Sequence, residues 1–165
     1  MTIIGIDPGK GGAISVYSNG INRAVKCPNS TAKMADIVSS IKNTHYIDGD
    51  GQCVAYIEQV HAFPTDARSA AFKFGVNYGE WLGILAAYKT LTIMVSPQRW
   101  QKYWKDKLGI TFPKDKQERK RALKEIAMKY TNEKVTLYNA DSILIAMYGV
   151  ENVAEDLMKL EMEKK

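Results

Sequence analysis

Residues Ile3-Ile4-Gly5-Ile6-Asp7-Pro8-Gly9 constrain this chain most. A short apolar run closes on a carboxylate and is followed at once by a Pro-Gly break. That order describes a buried strand delivering an acidic side chain to its exposed end, with a tight turn beyond it. The pattern recurs at Val54-Ala55-Tyr56-Ile57-Glu58, again an apolar run and then a carboxylate. A third acidic residue, Asp141, opens a long segment with an apolar face at Ile143, Leu144, Met147, Val150, Val153, Ala154 and Leu157. If the two strands are neighbours and the helix starts over their ends, three carboxylates converge. Carboxylates in one place repel each other, and a hard divalent cation with oxygen ligands is the usual compensation. Read singly, each has a plainer explanation: a solvated strand end for Asp7 or Glu58, a dipole-stabilised helix start for Asp141.

The segments between follow from periodicity and punctuation. Residues 2–7 read as a strand, and residues 13–17 and 21–26 as two more, joined by the hairpin signal Asn19-Gly20. Ser30 or Thr31 is placed to cap a helix reaching about Lys42. A loop is expected over residues 48–51, a fourth strand at 54–57, and a second loop with Pro64 over 61–66. A helical pattern runs from about Ala67 to Tyr88, with Gly75, Gly79 and Gly83 on one stripe open to a helix, a second subunit or DNA. Leu91 to Val95 reads as a fifth strand. Ser96-Pro97 starts a short helix, Lys114 to Lys129 forms a basic one, and the last helix spans 140 to about 160 with a frayed end. The 165 residues suit a single domain, expected to span the whole chain.

Composition narrows the function. No apolar run approaches membrane-spanning length and no signal-type segment opens the chain, so a cytoplasmic protein without a membrane partner is expected. Cys27 and Cys53 form no metal-binding spacing and are expected as buried free thiols. His45 and His61 are isolated, and no Ser-His-Asp or Cys-His pattern is present. The net charge of +5 is concentrated: Lys102, Lys105, Lys107, Lys114, Lys116, Arg119, Lys120, Arg121 and Lys124 fall in one stretch. Trp100, Tyr103, Trp104 and Phe112 are interleaved with them. The expectation is a surface that follows a phosphate backbone and packs against sugars or bases. The plainer alternative is a solvated helix face over core aromatics.

In their order along the chain these segments resemble the RuvC-type Holliday-junction resolvases of the ribonuclease H-like superfamily, in particular their phage-encoded branch. Gly5-Ile6-Asp7-Pro8-Gly9 resembles the first acidic motif and Ile57-Glu58-Gln59-Val60 the second. Asn139-Ala140-Asp141-Ser142-Ile143-Leu144-Ile145-Ala146 resembles the C-terminal one, while Phe72-Lys73-Phe74-Gly75 and Ser96-Pro97-Gln98-Arg99-Trp100 resemble further segments. The resemblance implies an α/β fold with a five-stranded mixed sheet flanked by helices. It also implies a homodimer, two magnesium or manganese ions per site, and metal-dependent cleavage of four-way junctions and other branched DNA. The ligands it maps are Asp7, Glu58 and Asp141. Phe72, Lys73 and Phe74 resemble the part that enters the junction and meets the dimer partner. Arg99, Lys102, Lys105, Lys114, Lys116, Arg119 and Lys120 would contact the DNA. One position departs: the family's fourth ligand, Asp or His, stands three residues before the last Asp, and here that residue is Tyr138. Asn139, next along, can coordinate through its carbonyl or cap the helix. Tyr138 keeps a second reading open, a junction-binding protein with weak or no catalysis. A phosphotransferase of the actin-like kind needs a further glycine-rich phosphate motif and more chain than this.

Overall fold

The computed structural model describes residues 1–48, 52–59, 61 and 67–163. Five strands form one mixed sheet in the order β3-β2-β1-β4-β5. β1 (Thr2–Asp7), β2 (Ala13–Ser18) and β3 (Ile21–Lys26) make an antiparallel meander. Asn19 and Gly20 both take positive φ in the hairpin, the geometry their sequence announces. β4 (Cys53–Glu58) lies parallel to β1 with Ile6 opposite Ile57, and β5 (Leu91–Val95) lies parallel to β4 with Val95 opposite Glu58. The strand ends bearing Asp7 and Glu58 are therefore neighbours. This α/β architecture is the expected five-stranded mixed sheet flanked by helices.

Alternation along the central strands gives each face its own core. Ile4, Ile6, Ala55 and Ile57 pack beneath α1 (Thr31–Asp48) and α2 (Arg68–Ala87), with Met34, Val38, Trp81 and Leu85. Ile3, Val54, Tyr56, Ile93 and Val95 face α3 (Pro97–Leu108), α4 (Lys116–Ala127) and α5 (Ala140–Met162). Gly5 sits under α5, where a Cβ would collide with the backbone at Ser142 and Ala146. Only glycine lets the helix lie that close to β1. Because Asp7 is two residues beyond Gly5, it shares the face on which α5 begins.

Helix limits follow local chemistry. Ser96 Oγ accepts from the Arg99 amide at 3.2 Å and starts α3. Asp115 accepts from the amides of Gln117 and Glu118, both at 2.9 Å, and starts α4 two residues later than expected. α1 runs six residues past Lys42, since no Gly or Pro interrupts it before Asp48. α5 continues to Met162, where fraying was expected from residue 161. Residues 49–51 and 62–66 of the two expected loops, with Pro64, lie outside the described residues, as does Val60 of the second acidic motif. Cys27 and Cys53 are buried free thiols, as expected.

Candidate active site

Three elements bring Asp7, Glu58 and Asp141 together. β1 and β4 end side by side, and α5 starts above them with Asp141 in its first turn. Each side chain keeps some contact with solvent. Desolvation is nonetheless the largest influence on all three and disfavours their charged forms. Asp7 is pushed up to about 7, by desolvation and then by the charge of Asp141. Glu58 is pushed up to about 8, by desolvation and then by the charges of Asp7 and Asp141. Asp141 is raised by desolvation. Lys120 acts in the opposite direction on all three, and Arg119 on Asp141. Among the described residues none of the three carboxylates makes an ion pair.

The donor chemistry is that of a hard divalent cation: hard oxygen donors, charged when deprotonated, and unpaired. Among the described residues no three His, Cys, Asp or Glu side chains form a closed ligand cluster as they stand. The three carboxylates are near enough to act on one another electrostatically and do not close on a point. Trp100 adds a fixed dipole. Its ring is fully buried and its Nε1–H favours the charged form of Glu58, although it makes no hydrogen bond of normal geometry.

The other anticipated residues divide into groups. Lys120 and Arg119, expected along the DNA backbone, stand beside the carboxylates, and sequence spacing alone gave no sign of that. Lys114 and Lys116 are exposed at the start of α4, and Lys105 is half-buried on α3. Arg99 is bound to the buried Asp156 carboxylate, which also accepts from Tyr56 Oη at 3.1 Å, and its guanidinium lies over the Tyr148 ring at 5.6 Å. Asp156 is fifteen residues along α5 from Asp141, about 22 Å of helix. Lys102 is paired with Asp106 on its own helix.

The interleaved aromatics are not a nucleic-acid surface. Trp100 and Trp104 are wholly buried, and Trp104 Nε1 donates to the Leu144 carbonyl at 3.2 Å. Tyr103 and Phe112 pack against the same core. Trp100 and Trp104 fall four apart on one helical face, which is the spacing of core residues.

Asn139 is neither a free ligand nor a side-chain cap. It occupies the N-cap position of α5, but its Oδ1 accepts from the Thr136 amide at 2.7 Å and its Nδ2 donates to the Lys134 carbonyl at 3.2 Å. It ties the turn that leads into α5. Tyr138 is 54% exposed, with Lys26 Nζ 5.1 Å from its ring centre.

Phe72 is 73% exposed, whereas Phe74 is half-buried against Gly9. Between α2 and the loop after Asp7 lies a cleft of about 480 Å³, lined by Gly9, Lys10, Pro28, Phe72, Lys73 and Asn77 among others. Gly75, Gly79 and Gly83 face outward, and a Cβ on any of them would meet nothing within 4 Å. Among the described residues, no other helix of the chain occupies that stripe.

No family model matches the sequence, and no curated protein sequence is significantly similar to it. The likeness is one of structure. RuvC of Thermus thermophilus in complex with a Holliday junction substrate aligns with a TM-score of 0.62 at 14% identity, over 94% of this chain and 96% of that one. A second structure of Thermus thermophilus RuvC gives 0.59 at 16% identity, over 94% and 97%. The fold is thus that of RuvC across nearly its whole length. No described helix is long and apolar enough to cross a membrane.

Proposed function

We propose that this chain is a divalent-metal-dependent endonuclease that acts on branched DNA, four-way junctions first among its substrates. The observation that carries this reading is the convergence of Asp7, Glu58 and Asp141 from three separate elements, with Lys120 beside them. Evenly solvated surface carboxylates would not perturb one another in this way. The shared fold with a protein solved on a Holliday junction supports the choice of substrate, and the exposed Lys114, Lys116 and Phe72 would be available to DNA.

Asp7, Glu58 and Asp141 would hold magnesium or manganese, two ions being the arrangement the reaction uses best. A bound ion supplies Lewis acidity, easing deprotonation of water and offsetting charge on the departing oxygen. The chain's own residues do the rest. Lys120 favours the charged, ligand-competent form of all three carboxylates and offers a cation to the scissile phosphate. The Trp100 dipole favours the charged form of Glu58. Phosphorus gains a bond to the water oxygen and loses its bond to the 3′ oxygen, leaving a 5′ phosphate and a 3′ hydroxyl. The outward stripe on α2 suits a second copy of the chain, and a homodimer would address two opposed strands together.

Labelled four-way junction, flap and linear duplex DNA, incubated side by side with magnesium and with manganese, test the proposal. Cleavage of branched substrates at least about tenfold faster than duplex is expected. Equal rates on all three would remove the structural selectivity. Tight junction binding with no cleavage in either metal would favour the binding-only reading that Tyr138 keeps open.

A further inference from the structure

The turn after Asp7 is held from the opposite side of the sheet. Pro8 has no amide hydrogen, so Gly9 carries the first donor after the carboxylate. That donor is taken by Asn77 Oδ1 on α2 at 2.6 Å, across 68 residues of sequence. The Gly9 carbonyl accepts from the Gly12 amide at 3.0 Å, so both peptide groups of the residue are fixed. Gly9 has φ +105°, which side-chain-bearing residues rarely adopt. Phe74, one turn before Asn77 on the same face of α2, lies over it, with a ring carbon 2.8 Å from where a Cβ would be. The amide of Asn77 is itself oriented: its Nδ2 faces the Met34 sulfur at 3.9 Å, leaving the oxygen toward the turn.

We propose that Asn77 is a positioning residue of the candidate nuclease site, holding the Asp7-Pro8-Gly9 turn so that the seating of α2 sets where the Asp7 carboxylate stands. The inference rests on the nuclease reading above. The outward side of the same helix carries the exposed Phe72, Val76 and glycine stripe. Anything that engages that side acts on the rigid element that pins Gly9. Neither the acidic motifs nor the basic stretch points to Asn77, because its role depends on a contact between distant segments.

Two variants separate positioning from general stability. Asn77→Leu keeps the volume and removes the acceptor, whereas Asn77→Asp keeps an acceptor oxygen. On a labelled junction, Asn77→Leu is expected to lower kcat by about ten- to a hundredfold with junction affinity within about twofold of the original. Manganese binding to the DNA-free protein, read by calorimetry, is expected to weaken by about tenfold or more. Asn77→Asp is expected to recover most of both. Original kcat and manganese affinity in Asn77→Leu would overturn the proposal, as would a rate loss that only follows junction affinity. Should Asn77→Leu fail to fold, amide hydrogen exchange in the unaltered protein decides. The Gly9 amide is expected to be strongly protected, and exchange at the rate of a free amide would overturn the proposal. If the unaltered protein cleaves no junction, the nuclease reading fails, while Gly9 exchange still reports on the Asn77 contact.

Discussion

Asp7 sits where its proton is as informative as its charge. Its carboxyl is raised from the ordinary 3.8 to about 7, and that of Glu58 from 4.5 to about 8. With folded values above unfolded ones, the native state holds more protons than the unfolded chain between these limits. The stability this confers is complete below the ordinary carboxylate range and is lost as pH rises through about 7 and 8. Thermal melts with a chelator present should show Tm falling between pH 5 and pH 8.5. Asp7→Asn should flatten that decline, and a Tm unchanged across the range would contradict the assigned environment. Lys120 gives a second residue-scale expectation. It lowers the values of all three carboxylates, so Lys120→Met should move the acid limb of the pH–rate profile to higher pH. Lys114→Met, on the exposed approach to α4, should leave that limb in place. Asp7 and Glu58 were legible as candidate site residues because apolar run and carboxylate are adjacent in sequence. Lys120 was legible only as one cation among many, since its nearness to the site comes from how α4 packs.

Among the elements, α5 and α4 carry different duties. α5 must lie against β1 closely enough for Asp141 to reach the strand ends, and at Gly5 the two backbones leave no room for a Cβ. Gly5→Val should push the helix away and abolish cleavage, with a stability loss of about 1–3 kcal/mol or more from overpacking, measurable by urea denaturation. On the proposed reading, Lys114, just before α4, and Lys116, at its start, would act through charge alone. Replacing Lys114 and Lys116 with Met should weaken junction binding about equally across sequences and flatten the dependence of log affinity on log salt by about one per lysine. An unchanged salt slope would place the DNA elsewhere. The strand limits were readable because alternation and the Asn19-Gly20 turn act locally. α3 misled for a physical reason: Trp100 and Trp104 turn into the core while Lys102 and Lys105 lie round the helix from them, and Lys107, beside the Trp104 ring, is paired with Glu151. The pairing of Arg99 was not legible, for its partner Asp156 lies in a helix far along the sequence that no local pattern joins to it.

For the whole molecule, the sheet does the positioning. Parallel pairing of β1 with β4 aligns two carboxylates at one end, and crossing to α5 supplies the third from the other end of the chain. The order β3-β2-β1-β4-β5 makes β1 central, with Asp7 paired to Ala13 of β2 and Ile6 before it paired to Ile57 of β4. α2, on the opposite layer, touches the same turn through Asn77 and presents its glycine stripe outward. If that stripe joins two copies, Gly79→Glu should shift sedimentation equilibrium toward monomer. It should also convert paired incision of a junction into single, unlinked nicks. The most direct test of the three-carboxylate site is cleavage of a labelled four-way junction with magnesium by the unaltered protein and by Asp7→Asn, with junction affinity measured in parallel. The expected result is incision by the former, none by the latter, and affinities that agree within a few-fold. Equal incision by both proteins would contradict the site.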